Sequence, residues 1–216
     1  MVPNRPSRSK FKECHSFARA VTPGWKNELY QTGPDPSTHG GVVSGELLQS
    51  ILFREGLRLQ PDDNFVDIGS STGIITNSVN IYFGIAIGCG IERDYNRHRK
   101  AIAAESNICG LLDTHSFYHG DMTDPIIMKR VLCQERLRVW FNNYGRCMEG
   151  TIQTEFEQNL EQFCLRGTRV ASFSELNLSK KHWKMWEKTF LVENGDLSWT
   201  GNIRTTKVFF YQLTKK

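Results

Sequence analysis

The sequence predicts an α/β fold: a mostly parallel sheet with an antiparallel edge. Three observations predict it. From Asn64 onwards, short runs rich in β-branched and aromatic residues alternate with segments of helical periodicity. The first run ends in a glycine turn that opens directly into a helix, as a βα unit requires. The last two β-like runs follow one another with no helix between them, which a parallel crossover does not allow.

Taken in order, residues 1 to about 24 hold three prolines and many basic or polar residues, and read as a poorly ordered arm. The run QTGPDPSTHGG, 31–41, has turn chemistry throughout and reads as a loop. Leu47, Leu48, Ile51 and Leu52 stand at helical spacing, so a helix runs to Glu55. Strands are predicted at Phe65–Ile68, Ile85–Ile91, Ser116–Tyr118, Leu137–Phe141 and Arg169–Phe173. Helices are predicted at Gly73–Tyr82, Asn96–Cys109, Pro125–Cys133, Thr151–Cys164 and Ser179–Lys188. Trp183 and Trp186, three apart in the last of these, read as packing residues. Two β-like runs, Thr189–Val192 and Lys207–Leu213, close the chain.

At 216 residues the chain suits one domain, or one domain with an arm, and can bury a core without staples. The longest apolar-looking stretch, Ile74 to Ile91, is broken by Thr76, Asn77, Ser78 and Asn80, so it is not a membrane span. The N-terminus has no apolar core of the kind a signal peptide needs. Six cysteines are scattered without C-x-x-C spacing, and the histidines show no ligand spacing, so no metal site is legible. Free thiols of this kind suit a reducing compartment. The net charge is only +4, but it is concentrated at the ends. Arg5, Arg8, Lys10, Lys12, Arg19 and Lys26 face Glu13 alone in the first 26 residues, and lysines dominate from Lys180 onwards. Basic ends suit a polyanionic partner, although a solvated surface would look the same.

The candidate site begins in FVDIGSSTGII, 65–75. Gly69 and Gly73 let a ligand approach the backbone, and the helix that follows offers free N–H groups. Asp67 lies in the strand just before this loop, and Ser71 within it. The pattern is neither G-x-G-x-x-G nor a P-loop, which disfavours a dinucleotide and suits a nucleoside without phosphates. Glu92 ends the next strand, 19 residues after Gly73, where an acid can accept hydrogen bonds from ribose hydroxyls. Asp121, with Met122 beside it, follows the third strand and could accept from an adenine amino group, because Asp124 is better placed to cap the helix at Pro125. Asn142 and Asn143 end the fourth strand, at the edge where open parallel sheets bind ligands. Their amides add donors and acceptors without charge, although Asn-Asn before Tyr-Gly is also turn chemistry.

GELLQSIL, FVDIGSSTG, GIE, GD, VWFNNYG and LSWTG occur here in one order. Together they resemble the disruptor-of-telomeric-silencing family, histone H3 lysine methyltransferases without a SET domain. The resemblance covers about residues 40 to 203. It implies a class I S-adenosylmethionine-dependent methyltransferase fold, Rossmann-like, with a seven-stranded, mostly parallel sheet, an antiparallel edge strand and a short N-terminal helical or arm segment. Residues 1–40 would then be a basic arm and loop, and 41–216 the methyltransferase catalytic domain. S-adenosylmethionine would be held by Glu46, Asp67, Gly69, Ser71, Gly73, Glu92, Asp121, Met122 and Asn142. Asn142 would lie beside the transferring methyl, with Tyr144 and Trp199 lining a lysine channel. The implied partner is the nucleosome, through histone H3 and, at the basic ends, DNA, and the implied location the nucleus. The chain departs from the family pattern at Ser71, where a third glycine is usual, at Ser44, where a tyrosine is usual, and at Thr205 and Thr206, where tyrosines are usual.

Lysine methylation needs a neutral amine, whereas free lysine has a pKa near ~10.4. An apolar channel and a neighbouring sulfonium both disfavour the ammonium form. Orientation, rather than a dedicated base, then carries the reaction. Two alternatives stay open. A nucleic-acid amino-methyltransferase shares the fold but carries prolines after the fourth strand, which NNY lacks. A catalytically silent S-adenosylmethionine-binding module would keep the same pocket.

Overall fold

The computed structural model describes residues 8–24, 43–84, 87–108, 117–143, 150–192 and 205–216. Its strands are β1 (Asn64–Ile68), β2 (Gly88–Glu92), β3 (Phe117–His119), β4 (Leu137–Phe141), β5 (Arg169–Ser172), β6 (Trp183–Leu191) and β7 (Thr205–Leu213). They form one seven-stranded sheet in the order β3-β2-β1-β4-β5-β7-β6. The first five strands pair in parallel, and β7 runs antiparallel to both β5 and β6. The antiparallel edge expected from the two helix-free final runs is therefore present, with β7 one place in and β6 outermost.

The helices are α1 (Arg8–Val21), α2 (Gly45–Gln49) with a π-helical continuation (Ser50–Glu55), α3 (Ile74–Phe83), α4 (Tyr95–Ile108), α5 (Pro125–Leu132) and α6 (Thr151–Phe163). α5 starts as its sequence predicts. Asp124 accepts from the N–H groups of Ile126 and Ile127, and Pro125 occupies the first turn. α3 ends at Gly84, whose φ of 69° provides the left-handed cap that glycine adopts without strain.

Strand alternation divides the core between the two faces of the sheet. Phe65, Trp140 and Phe210 pack on one side with Leu48, Ile51 and Leu52. Val66, Ile68, Val139 and Phe141 pack on the other with Phe156 and Leu160 of α6. Period two then places Asp67 on the face of Phe65, and Asn142 on the face of Trp140. Asp67 pairs with Trp140 across the parallel β1–β4 register, so the two polar residues stand near each other at one rim.

Two expectations need correction. Residues 8–21 are not a disordered arm but a helix docked on the sheet face that carries Asp67. Phe11, Cys14, His15 and Ala18 are buried, and their i, i+3, i+4, i+7 spacing is an apolar stripe hidden among charges. The ring of Phe11 meets Phe53 at 5.0 Å and Tyr82 at 5.4 Å between centroids. The second correction is the segment Ser179–Lys188, predicted as a helix. It enters β6 at Trp183 and pairs with β7 along nine residues. Trp183 and Trp186 consequently point to opposite faces, Trp183 into the α6 side and Trp186 towards Phe210.

Candidate functional site

The strand order reverses between β1 and β4: from β1 the sheet grows one way through β2 and β3, and the other way through β4 and β5. Open α/β sheets bind ligands at the carboxyl ends of the strands beside such a reversal. A cavity of about 40 Å³ lies there. Its lining includes Asp67 and Gly69 after β1, Ser70 and Ser71 in the turn, Asn142 after β4 and His15 from α1. That volume admits a few waters or one small polar group.

The turn between β1 and α3 is held in unusual backbone conformations. Gly69 has φ 71°, and a Cβ added there would meet open space, so the ligand side of the turn is clear. Gly73 has φ 75°, and an added Cβ would run into the Phe117 ring and Ala101, so that glycine serves packing as well. Ser71 has φ 51°, in the left-handed region where a side chain is costly. This explains physically why a third glycine would be usual at this place. In that conformation the Ser71 N–H donates to Glu92 Oε2 at 2.8 Å. The Asp94 N–H donates to Glu92 Oε1 at 2.7 Å. Glu92 is thus a buried bracket between the β1 and β2 turns, not a surface acid. Burial raises its pKa, and the two N–H groups and the charge of Arg97 pull it back.

Among the described residues Asp67 is the most perturbed carboxyl. Burial pushes its pKa up to about 8, with the charge of Glu92 adding to the rise and the Thr76 hydroxyl opposing it. That hydroxyl donates to Asp67 Oδ2 over a long 3.4 Å. Three buried polar atoms of the cavity lining have no hydrogen-bond partner: His15 Nε2, Ser70 Oγ and Asn142 Oδ1. Unpartnered buried acceptors are costly unless a ligand completes them.

The two asparagines have separate tasks. Asn142 lines the cavity, and its Oδ1 has no hydrogen-bond partner. Asn143 is 1% exposed and ties β4 to the end of β5. Its Oδ1 accepts from the Ser174 N–H at 2.8 Å, and its carbonyl accepts from the Ser174 hydroxyl at 2.8 Å. The second amide therefore holds the first in place.

Other candidates fall differently. Asp121 is not free: Oδ1 accepts from both the N–H and the hydroxyl of Thr123 at 2.9 Å, and Oδ2 lies 3.6 Å from Arg93 Nη1. Met122 packs against the α6-side core, and its carbonyl accepts from Asn159 Nδ2 at 3.0 Å. Glu46 is half exposed, forms an ion pair with Lys12 of α1, and is not part of the cavity lining. Tyr144 and Trp199 lie outside the described residues. Thr205 is exposed and Thr206 buried at the start of β7. His15 was missed by sequence reasoning, because its segment reads as an arm; the stripe of Phe11, Cys14, His15 and Ala18 was the available signal. Among the described residues no group of histidines, cysteines and carboxylates could hold a metal ion. No helix there is long and apolar enough to cross a membrane.

The model of the family described as histone methylation protein DOT1 matches residues 29–211. Comparison with curated protein sequences returns no match. Among solved structures, TrmN from Thermus thermophilus superposes with a TM-score of 0.61 at 17% identity, over 91% of this chain and 53% of that one. The chain thus spans about half the length of that protein. A putative RNA methyltransferase from Pyrococcus horikoshii gives 0.52 at 11% identity, over 94% of this chain and 99% of that one. A chain of the fibrillarin/Nop5p complex gives 0.51 at 11% identity over 79% of this chain and 81% of that one. At these identities the likeness establishes the fold.

Proposed function

This chain belongs to the DOT1 family of histone methylation proteins, and from that premise we propose that it is a histone-lysine methyltransferase acting on a lysine of the nucleosome core surface of histone H3. Fold and family make it a class I methyltransferase with S-adenosylmethionine as methyl donor. The observation that carries the reading is the crevice beside the β1–β4 reversal, where unpartnered Asn142 Oδ1 and buried Asp67 flank an open glycine turn. Clear space at Gly69, the unpartnered Asn142 Oδ1 and the Asp67 carboxyl with its one long hydrogen bond fit the backbone-hugging, cationic methionyl end of that cofactor.

When bound, the cofactor supplies an electrophilic methyl on a positively charged sulfur. The chain supplies position. Gly69 and Ser71 let the ligand lie against the turn, and Glu92, aligned by the Ser71 and Asp94 N–H groups, faces the ribose hydroxyls. Asn142 holds the methionyl end or the incoming amine through Oδ1 without adding charge, its backbone fixed through Asn143 and Ser174. Gly73 supports the turn from below; Asp121 and Met122 border the adenine; Glu46, released from Lys12, closes over the methionyl end. We assign the channel that keeps the amine neutral to Tyr144 and Trp199, which lie outside the described residues. The catalytic domain is residues 41–216 with α1 docked on it, the basic residues of 1–40 meet the acidic histone surface or DNA, and the protein works in the nucleus.

The test is one assay: labelled S-adenosylmethionine with intact nucleosomes, naked DNA and RNA, followed by mass spectrometry of the products. Label on a histone H3 lysine, lost in Asn142→Ala and Glu92→Ala, supports the reading. Label on nucleic acid alone refutes it. Cofactor uptake without label on any substrate points instead to a silent binding module.

A further inference from the structure

The family match begins at residue 29, yet α1, which ends at Val21, reaches the cofactor crevice. His15 is 3% exposed and lines the cavity with Asp67 and Asn142. Its Nδ1 lies 3.0 Å from Ser78 Oγ. The Ser78 hydroxyl has a single proton, which it donates to the Ile74 carbonyl at 2.5 Å. Ser78 therefore accepts from His15 Nδ1–H, and this leaves Nε2 as a bare acceptor. Nε2 has no partner. Burial first, and the nearby charge of Arg19 second, lower the His15 pKa to about 3 against a smaller pull from the Val43 backbone, so the ring stays neutral.

The cavity consequently gathers three acceptors in want of donors: His15 Nε2, Asn142 Oδ1, and the Asp67 carboxyl with its one long hydrogen bond. An anion would be disfavoured by His15 Nε2 and Asn142 Oδ1, and an alcohol would satisfy only one acceptor. A primary ammonium offers three N–H donors and a positive charge that favours ionised Asp67. We propose that His15 is a cofactor-binding residue which, with Asp67 and Asn142, seats the α-ammonium of the methionyl group, making α1 a working part of the site. This rests on reading the cavity as the methionyl end of the S-adenosylmethionine site. It adds a contact from a helix that the family match does not include.

The experiment is calorimetry of the full chain with S-adenosylhomocysteine, which keeps the ammonium, and with the analogue that lacks only the α-amino group. His15→Ala should weaken the homocysteine ligand by roughly 10- to 100-fold, the loss expected for a hydrogen bond to a charged group. It should leave the affinity for the amino-less analogue within about twofold, as the additivity of uncoupled changes requires. His15→Gln, which restores an acceptor oxygen, should recover part of the loss. In the wild type, the nitrogen-15 resonance of Nε2 should report a bare nitrogen and move on addition of S-adenosylhomocysteine, but not of the analogue. Equal weakening for both ligands, or none, overturns the proposal while the cofactor site stands. If the wild type binds neither ligand, the cofactor reading falls and takes this proposal with it. Should His15→Ala fail to fold, the Nε2 resonance and His15→Gln decide in the same two directions.

Discussion

Asp67→Asn should make the ligand-free protein more stable and the cofactor site worse. The buried carboxyl titrates at about 8 in the folded chain against 3.8 for an ordinary aspartate. A raised carboxyl pKa means that the folded state keeps a proton that the unfolded chain has lost. Unfolding then releases a proton between these two values, so stability falls as pH rises through that window and is flat outside it. At pH 7 the wild type has descended roughly three pH units of that slope, about 4 kcal/mol at most. Asparagine keeps the size and still accepts from Thr76, but removes the titration. Urea unfolding followed by tryptophan fluorescence should show the variant about 2–4 kcal/mol more stable at pH 7, with the gap closing towards pH 4. Binding of S-adenosylhomocysteine near pH 7 should release up to one proton in the wild type, as Asp67 ionises against the ammonium, and none in the variant. Calorimetry in two buffers of different ionisation enthalpy measures this. A stability gap that does not change with pH, or a variant less stable at pH 7, would refute the assignment of a neutral, buried Asp67.

Ser71→Gly should relieve the left-handed strain at φ 51° while keeping the backbone N–H to Glu92, and so raise stability by about 1 kcal/mol in the same urea assay. Asn143→Ala removes a bond from the Ser174 N–H inside the protein, and should cost about 1–3 kcal/mol and loosen Asn142, seen as a lowered Tm and weaker cofactor binding. Phe11→Ala should cost about 3–5 kcal/mol, because its fully buried ring fills the space between α1, Phe53 and Tyr82. A change below about 1 kcal/mol there would mean that α1 is not docked in solution.

The sequence by itself determined the sheet and its glycine turn. Apolar runs from Phe65 to Ser172 alternate with helices because both faces of a parallel sheet must be covered, and that requirement is written into every segment. It also determined Asp124 as the α5 cap, since capping is a contact between near neighbours in the chain. Tertiary structure alone decided the fate of WKMWEKTFL: its lysines, glutamate and paired tryptophans suit a helix, but nine residues of pairing with β7 override that local preference. It alone separated Asn142 from Asn143, for strand alternation sends one amide to the cavity and packing gives the other to Ser174. It alone brought α1 to the crevice. A stripe of four buried residues among prolines and charges is too weak a signal until the sheet face that carries Asp67 supplies the surface to bury it, and with it His15 enters the site.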